Sequence, residues 1–183
     1  MLKTVYALSI AVLGGLLLGG CSEEGKPDYI VCESTYALCT TAPCTPIEKE
    51  EGTVFCDCKV ETGYSVGTTP CHEPVDSPEG KQVVSRYYPI KSYAKCSNDR
   101  PWAWCFDRPC IVDKNDPTKA VCSCNIVKKD GPYVIVADTY TDSTCTTGFY
   151  SSAKVKDLKG VTKYLKNNPD LKSFDLKVVN EGQ

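Results

Sequence analysis

Two stretches decide the fold: Val54-Phe55-Cys56-Asp57-Cys58-Lys59-Val60 and Ala120-Val121-Cys122-Ser123-Cys124-Asn125-Ile126. Read with a period of two, Val54, Cys56, Cys58 and Val60 share one face, as do Ala120, Cys122, Cys124 and Ile126. Asp57, Lys59, Ser123 and Asn125 occupy the other, which is the pattern of a half-buried β-strand with inward cysteines. A bond between the two cysteines of a Cys-x-Cys strand is strained, so each sulfur is expected to reach a cysteine on a neighbouring strand.

Working outward, each stretch sits inside a set of six cysteines. The first is Cys32, Cys39, Cys44, Cys56, Cys58 and Cys71, and the second is Cys96, Cys105, Cys110, Cys122, Cys124 and Cys145. The inner gaps of four, eleven and one residues are the same in both sets, while the outer gaps differ. Aligned on the cysteines, Tyr29 falls on Tyr93, Tyr36 on Trp102, Ala37 on Ala103, Leu38 on Trp104 and Pro43 on Pro109. These coincidences mark an internal duplication. Three disulfides are expected within each copy, and six cysteines allow about fifteen connectivities that spacing does not choose among.

The expected fold is therefore mainly β with a small α element: two tandem disulfide-stapled antiparallel β-modules and a C-terminal helix. Preceding strands are expected at Tyr36–Thr40 and Trp102–Phe106. Third strands are expected at Tyr64–Val66 and, after the turn signal Asp130-Gly131-Pro132, at Tyr133–Ala137. The loops holding Glu48-Lys49-Glu50-Glu51-Gly52 and Asp113-Lys114-Asn115-Asp116-Pro117 read as solvated hairpin loops. The organisation is then a signal peptide at 1–20, a tether at 21–28, module 1 at 29–73, a Pro/Gly-containing linker at 74–91 with a joining strand from Val83 to Ile90, module 2 at 92–150, and a helix and tail at 151–183. No duplicate is visible after Cys145. Val155, Leu158, Thr162 and Leu165 recur at helical spacing before the stop Asn167-Asn168-Pro169, and Leu171–Val179 reads as a closing strand or tail.

The N-terminus carries Lys3, an apolar run from Val5 to Leu18 and then small residues, the layout of an export signal. Leu18-Gly19-Gly20-Cys21 resembles the lipobox of bacterial lipoproteins. That resemblance implies cleavage before Cys21 and a diacylglycerol on its thiol. It also implies sorting, with Ser22 next in line, to an outer membrane where the cell has two. The cysteine count agrees, because thirteen is odd and acylation of Cys21 leaves twelve. Disulfides persist in such a compartment, and modules of this size bury too little apolar surface to be comfortable without crosslinks.

Composition narrows the chemistry. A net charge of −2 in an exported chain gives nucleic acid no basis as a partner. A metal centre is disfavoured by the absence of a Cys-x-x-Cys pair, and His72 is the one histidine. No cofactor is expected, since no phosphate loop or dinucleotide fingerprint occurs. His72 beside Cys71 in a Pro-rich segment is no basis for a Ser/His/Asp or Cys/His arrangement, and Glu48, Glu50 and Glu51 read as a solubilising loop. Tyr93, Trp102 and Trp104, with Tyr87 and Tyr88 upstream, are the candidate binding residues, by packing or as an exposed patch for an envelope protein or a glycan. The Lys-rich segment Lys154–Lys177 reads as a solvated face over an apolar stripe.

The expected function is a non-catalytic binding or scaffolding module anchored by its N-terminal lipid to the cell-envelope membrane. The alternatives are an enzyme inhibitor acting through rigid inter-cysteine loops and an envelope enzyme of unrecognised type.

Overall fold

A computed structural model describes residues 29–47, 51–87, 90–169, 171 and 174–181. The signal segment, Cys21, the tether, Glu48, Glu50 and Tyr88 lie outside the described residues. The elements are β1 (Ile30–Leu38), β2 (Cys44–Pro46), β3 (Thr53–Gly67), β4 (Val75–Ser77), β5 (Gly80–Arg86), β6 (Ser92–Cys96), β7 (Trp102–Trp104), β8 (Pro109–Val112), β9 (Lys119–Val127), β10 (Tyr133–Val136), β11 (Ser151–Lys154), α1 (Val155–Lys166) and β12 (Lys177–Val178). Among the described residues the chain is mainly β with one helix, and no helix there is long and apolar enough to cross a membrane.

The two Cys-x-Cys strands, β3 and β9, pair with each other, antiparallel, from Thr53↔Asn125 to Lys59↔Lys119. Cys56 lies opposite Cys122, its own counterpart in the other copy, so a pseudo-two-fold axis passes through that pair. Period-two burial holds: Val54, Cys56, Cys58, Ala120, Cys122 and Cys124 are buried, while Phe55, Asp57 and Val121 face solvent. β1 and β2 run along the far side of β3, and β7 and β8 along the far side of β9.

All six disulfides stay within their own copy and share one nested connectivity. They are Cys32–Cys71, Cys39–Cys58 and Cys44–Cys56 in the first, and Cys96–Cys145, Cys105–Cys124 and Cys110–Cys122 in the second. Each Cys-x-Cys cysteine bonds outward, to the turn or strand beside it, because neighbours on one strand face point the same way at a spacing too wide for a relaxed bond.

The segment expected as a linker with a joining strand from Val83 to Ile90 holds a hairpin, and its second strand does join the two copies as far as Arg86. β4 pairs antiparallel with β5, turning between Ser77 and Gly80. Gly80 adopts φ +142° and a Cβ there would come within 2.6 Å of the Val112 carbonyl oxygen, so only glycine fits this close approach. β5 then pairs parallel with β1 of its own copy and antiparallel with β8 of the other. The ladders β3–β9, β9–β8, β8–β5, β5–β1 and β1–β3 form a closed ring. Its two-fold mate runs β3–β9–β7–β11 and returns to β2 through the bridge Pro43↔Tyr150.

The duplication therefore extends past Cys145: β11 is the counterpart of β5, with Ser151 standing where Ser85 does. Ser85 Oγ donates to the Cys105 carbonyl and accepts from Arg108 N–H at 2.8 Å. Ser151 Oγ donates to the Cys39 carbonyl and accepts from Ala42 N–H at 2.9 Å. Each copy thus latches onto the disulfide-bearing turn of the other. Parallel pairing of this kind is absent from the expected simple meander, because it requires a strand delivered from beyond the sixth cysteine.

Two further expectations change. Tyr64–Val66 is the distal part of β3, continuous with the Cys-x-Cys strand. Asp130-Gly131-Pro132 interrupts rather than reverses the chain, since β10 pairs with β6 and β11 and not with β9. Of the expected strand Tyr36–Thr40, Tyr36 to Leu38 end the longer β1, while Cys39 and Thr40 lie in the turn that follows. The helix stands where its apolar spacing put it, with Leu158, Thr162 and Leu165 buried. β12 closes the edge as a parallel partner of β6.

Replacing Ser85 by Ala leaves the Cys105 carbonyl and the Arg108 N–H short of a partner and is expected to lower unfolding free energy by about 1–3 kcal/mol, whereas Ser151→Ala is expected to cost less, because Ala42 N–H keeps a 3.4 Å bond to the Cys39 carbonyl. Denaturant melts of the oxidised chain check this, and the double variant tests whether the two latches act independently.

Candidate functional site

A recess lined mainly by apolar and aromatic side chains lies between α1 and the sheet. Tyr29 enters from the start of β1, Tyr87 follows β5, and Trp104 and Phe106 lead out of β7 into the turn that carries Cys105. From above, Leu158, Val161 and Leu165 of α1 complete a cavity of about 290 Å³. The helix presents these residues because its apolar positions recur at three and four residues, and its lysines fall on the outer side.

The aromatic walls pack on one another. Tyr87 stacks on Phe106 at 5.0 Å between ring centroids, and Trp104 tilts against Phe106 at 5.6 Å. Tyr29 lies against Tyr164 at 5.5 Å and crosses the helix at Gly160, where a Cβ would stand 3.0 Å from the Tyr29 hydroxyl. Burial holds the Tyr87 phenol far above its ordinary value. The Tyr29 phenol is raised by burial and then by the charge of Asp157.

Asp107 supplies the polar floor, and behind it lies a buried ion pair. Arg86 Nη1 stands 3.2 Å from Asp107 Oδ1, with side chains 3% and 7% exposed. Arg86 Nη2 donates to the carbonyls of Thr69 and Pro70, both at 2.8 Å. Asp107 Oδ2 accepts from Thr68 N–H at 2.6 Å, Thr68 Oγ1 at 2.7 Å and Thr69 N–H at 3.3 Å, while Oδ1 accepts from Thr69 Oγ1 at 3.1 Å. Burial lowers the Arg86 guanidinium from its ordinary value and Asp107 pulls it back up. Gly67 makes room for this arrangement, because a Cβ there would collide with the Arg86 guanidinium and the Asp107 carboxylate. The two-fold counterparts of Asp107 and Arg86 are Thr41 and Ser152, so only one of the two related positions carries charge.

Asp157, in the first turn of α1, is the second carboxylate of the cavity. Burial raises it above its ordinary value; Lys154 and Lys156 oppose that shift and Asp130 adds to it. Lys154 is itself held by Asp130 at 2.5 Å. Since Asp107 has both oxygens committed, the two carboxylates do not form an acid–base pair; the cavity offers apolar contact, aromatic faces and one carboxylate free to meet a ligand.

The sequence-derived binding residues divide. Trp102 is 2% exposed, stacked over Tyr133 at 6.2 Å and edge-on to Trp104 at 6.0 Å. Tyr93 is buried beside Val134, Ala153 and Leu158 under the helix. Of the two readings, packing and an exposed patch, packing describes these two positions, because both side chains are covered by neighbouring strands and the helix. Trp104 is half-buried and lines the cavity. Sequence reasoning missed Asp107, Asp157 and Phe106 as site residues; their signal was position only, next to Cys105 and in the first turn of a recognisable helix.

Of the other candidates, His72 and Glu51 are exposed. Sulfurs do converge, with Cys39, Cys58 and Cys122 in one group and Cys44, Cys56 and Cys105 in another, but every one belongs to a disulfide. The hairpin loop between Cys110 and Cys122 is braced internally. Asp113 Oδ1 accepts from Asn115 N–H at 2.7 Å, and hydrogen bonds from Lys119 and Thr118 hold Asp116 down to about 2. No family model, curated protein or solved structure matches this chain.

Asp107→Asn removes the partner of a buried guanidinium and is expected to cost about 3–5 kcal/mol of stability, read by chemical denaturation. Asp157 is expected to act with the opposite sign. Its folded-state pKa lies above the unfolded value of 3.8, so the folded chain binds its proton more tightly and stability falls as pH rises from 3.8 through the folded value. Melts across that interval should show this fall in the native chain and a flatter profile in Asp157→Asn.

Proposed function

We propose that this chain is a lipid-anchored cell-envelope protein whose work is non-catalytic binding, with the cavity between α1 and the sheet as its binding site. The observation that carries the reading is the cavity itself: an apolar, aromatic-walled recess of about 290 Å³ with a few convergent polar groups, held on a crosslinked frame. Small-ligand sites have this character and begin near about 300 Å³. A frame tied by six disulfides presents its site with little ordering cost on binding. The lipobox resemblance at Leu18-Gly19-Gly20-Cys21 and the remaining even cysteine count support an envelope location and a tether of Ser22–Asp28.

The inhibitor reading draws on one specific observation, the internally braced loop at Asp113–Lys119. Under that reading a bound envelope protein is lost on replacing Asp116 and is indifferent to the cavity.

Fractionation and ligand binding test the two parts separately. Cys21→Ser is expected to move the protein from the membrane to the soluble fraction, and retention at the membrane refutes the lipid anchor. Val161→Phe, which fills part of the cavity from the helix, is expected to abolish the saturable change in tryptophan emission caused by small amphipathic aromatics. An unaltered response in that variant refutes the cavity as the site.

A further inference from the structure

The charges around the cavity are one-sided. Among the described residues, no lysine, arginine or histidine side chain lines it, whereas two carboxylates do. Asp107 is neutralised by Arg86 and saturated by Thr68 and Thr69. Asp157 differs: its carboxylate makes no hydrogen bond or ion pair with any described residue, and the nearby Lys154 is engaged by Asp130. A half-buried carboxylate has lost part of its hydration without gaining a partner, which is the cause of its upward shift. An arriving cation restores what burial removed.

The walls favour the same sign. Tyr87, Phe106 and Trp104 form a contiguous aromatic surface, and Tyr29 stands close enough to Asp157 to feel its charge. Aromatic faces carry negative electrostatic potential and attract ammonium groups within roughly 6 Å of a ring centroid. Trp104 and Asp157 also border a shallower groove beside Asp130 and Lys154, so this end of the cavity is the open one. A ligand's charged end at Asp157 thereby keeps some water while its apolar end is covered by Leu158, Val161 and Leu165. An anion would face Asp157 with no cavity-lining cation to balance it.

We propose that the cavity takes a small organic cation, an amine or quaternary ammonium on an apolar body, with its nitrogen at Asp157 and its body against Trp104 and Phe106. This rests on the reading of the cavity as a binding site and adds the chemical class of the ligand. Its size excludes polymeric ligands from the interior and selects a compact molecule or a single side-chain-sized group.

Three probes of one shape and different charge test it on the full chain, read through tryptophan emission and calorimetry: 2-phenylethylamine, 2-phenylethanol and 3-phenylpropanoate. The amine is expected to bind about tenfold tighter than the alcohol, as a charge-assisted contact allows, with the anion weakest. Asp157→Asn, a near-isosteric change that relieves a desolvated charge, is expected to reduce the amine to the affinity of the alcohol and leave the alcohol unchanged. Asp157→Glu is expected to keep a preference for the amine. Equal affinities for the three probes, preference for the anion, or an amine affinity unaltered in Asp157→Asn overturns the inference while leaving the cavity as a binding site. Failure of all three to bind the native chain overturns the binding site along with it.

Discussion

Four disulfides packed around one strand pair hold everything else in place. Cys39–Cys58, Cys44–Cys56, Cys105–Cys124 and Cys110–Cys122 place their sulfurs in the interior beside the β3–β9 ladder. The groups from the two copies touch, with Cys39 Sγ 3.3 Å from Cys122 Sγ across the axis. Both sulfurs are in disulfides, so this is a packing contact between crosslinks. The small residues Ala37, Ala42, Ala103 and Ala120 fill the gaps. Such a core needs few large aliphatic side chains, which suits a chain whose strands spend many inward positions on cysteine. Each crosslink contributes about 2–4 kcal/mol, chiefly by restricting the unfolded chain.

The crosslinks alone do not join the copies, since every one is internal to its own half. What joins them is hydrogen bonding: the β3–β9 ladder, and the reciprocal insertion of β5 and β11. Ser85 and Ser151 do the same job on opposite sides of the axis, each satisfying the backbone of a turn that a disulfide holds open. The copies are therefore not crosslinked to each other by any of these disulfides, yet they are structurally interlocked, and a sheet that closes on itself leaves fewer free edges to recruit other chains.

The site arises where the symmetry fails. On the ring, Arg86 and Asp107 occupy positions whose mates are Ser152 and Thr41, and Phe106 replaces Thr40. Helix α1 has no counterpart in the first copy, and it covers only the face where those replacements occurred. A duplicated frame supplies rigidity; the unduplicated helix and a few diverged residues supply a recess with a distinct electrostatic character. Trp104 connects the parts, packing at once against the Trp102 cluster, the Tyr87–Phe106 stack and the residues under the helix.

The sequence by itself determined the two central strands, their inward faces and the helix. Period-two cysteines named the β3 and β9 faces, the repeat spacing implied two equivalent sets of crosslinks, and Val155, Leu158, Thr162 and Leu165 outlined the helix. These are local patterns, in which a side chain's direction follows from its position along a strand or helix. Tertiary structure alone decided that the two strands pair about a common axis, that Val75–Arg86 is a ring-closing hairpin, and that Asp107, Asp157, Phe106 and Trp104 share one cavity. Residues as distant as Tyr29 and Leu165 meet there because ring closure and helix docking bring them together, and no spacing along the chain encodes a distance across it. Trp102 and Trp104 show the divide in miniature: their alternation was legible, but which was covered depended on where the Tyr133 strand and α1 dock, which local patterns do not specify.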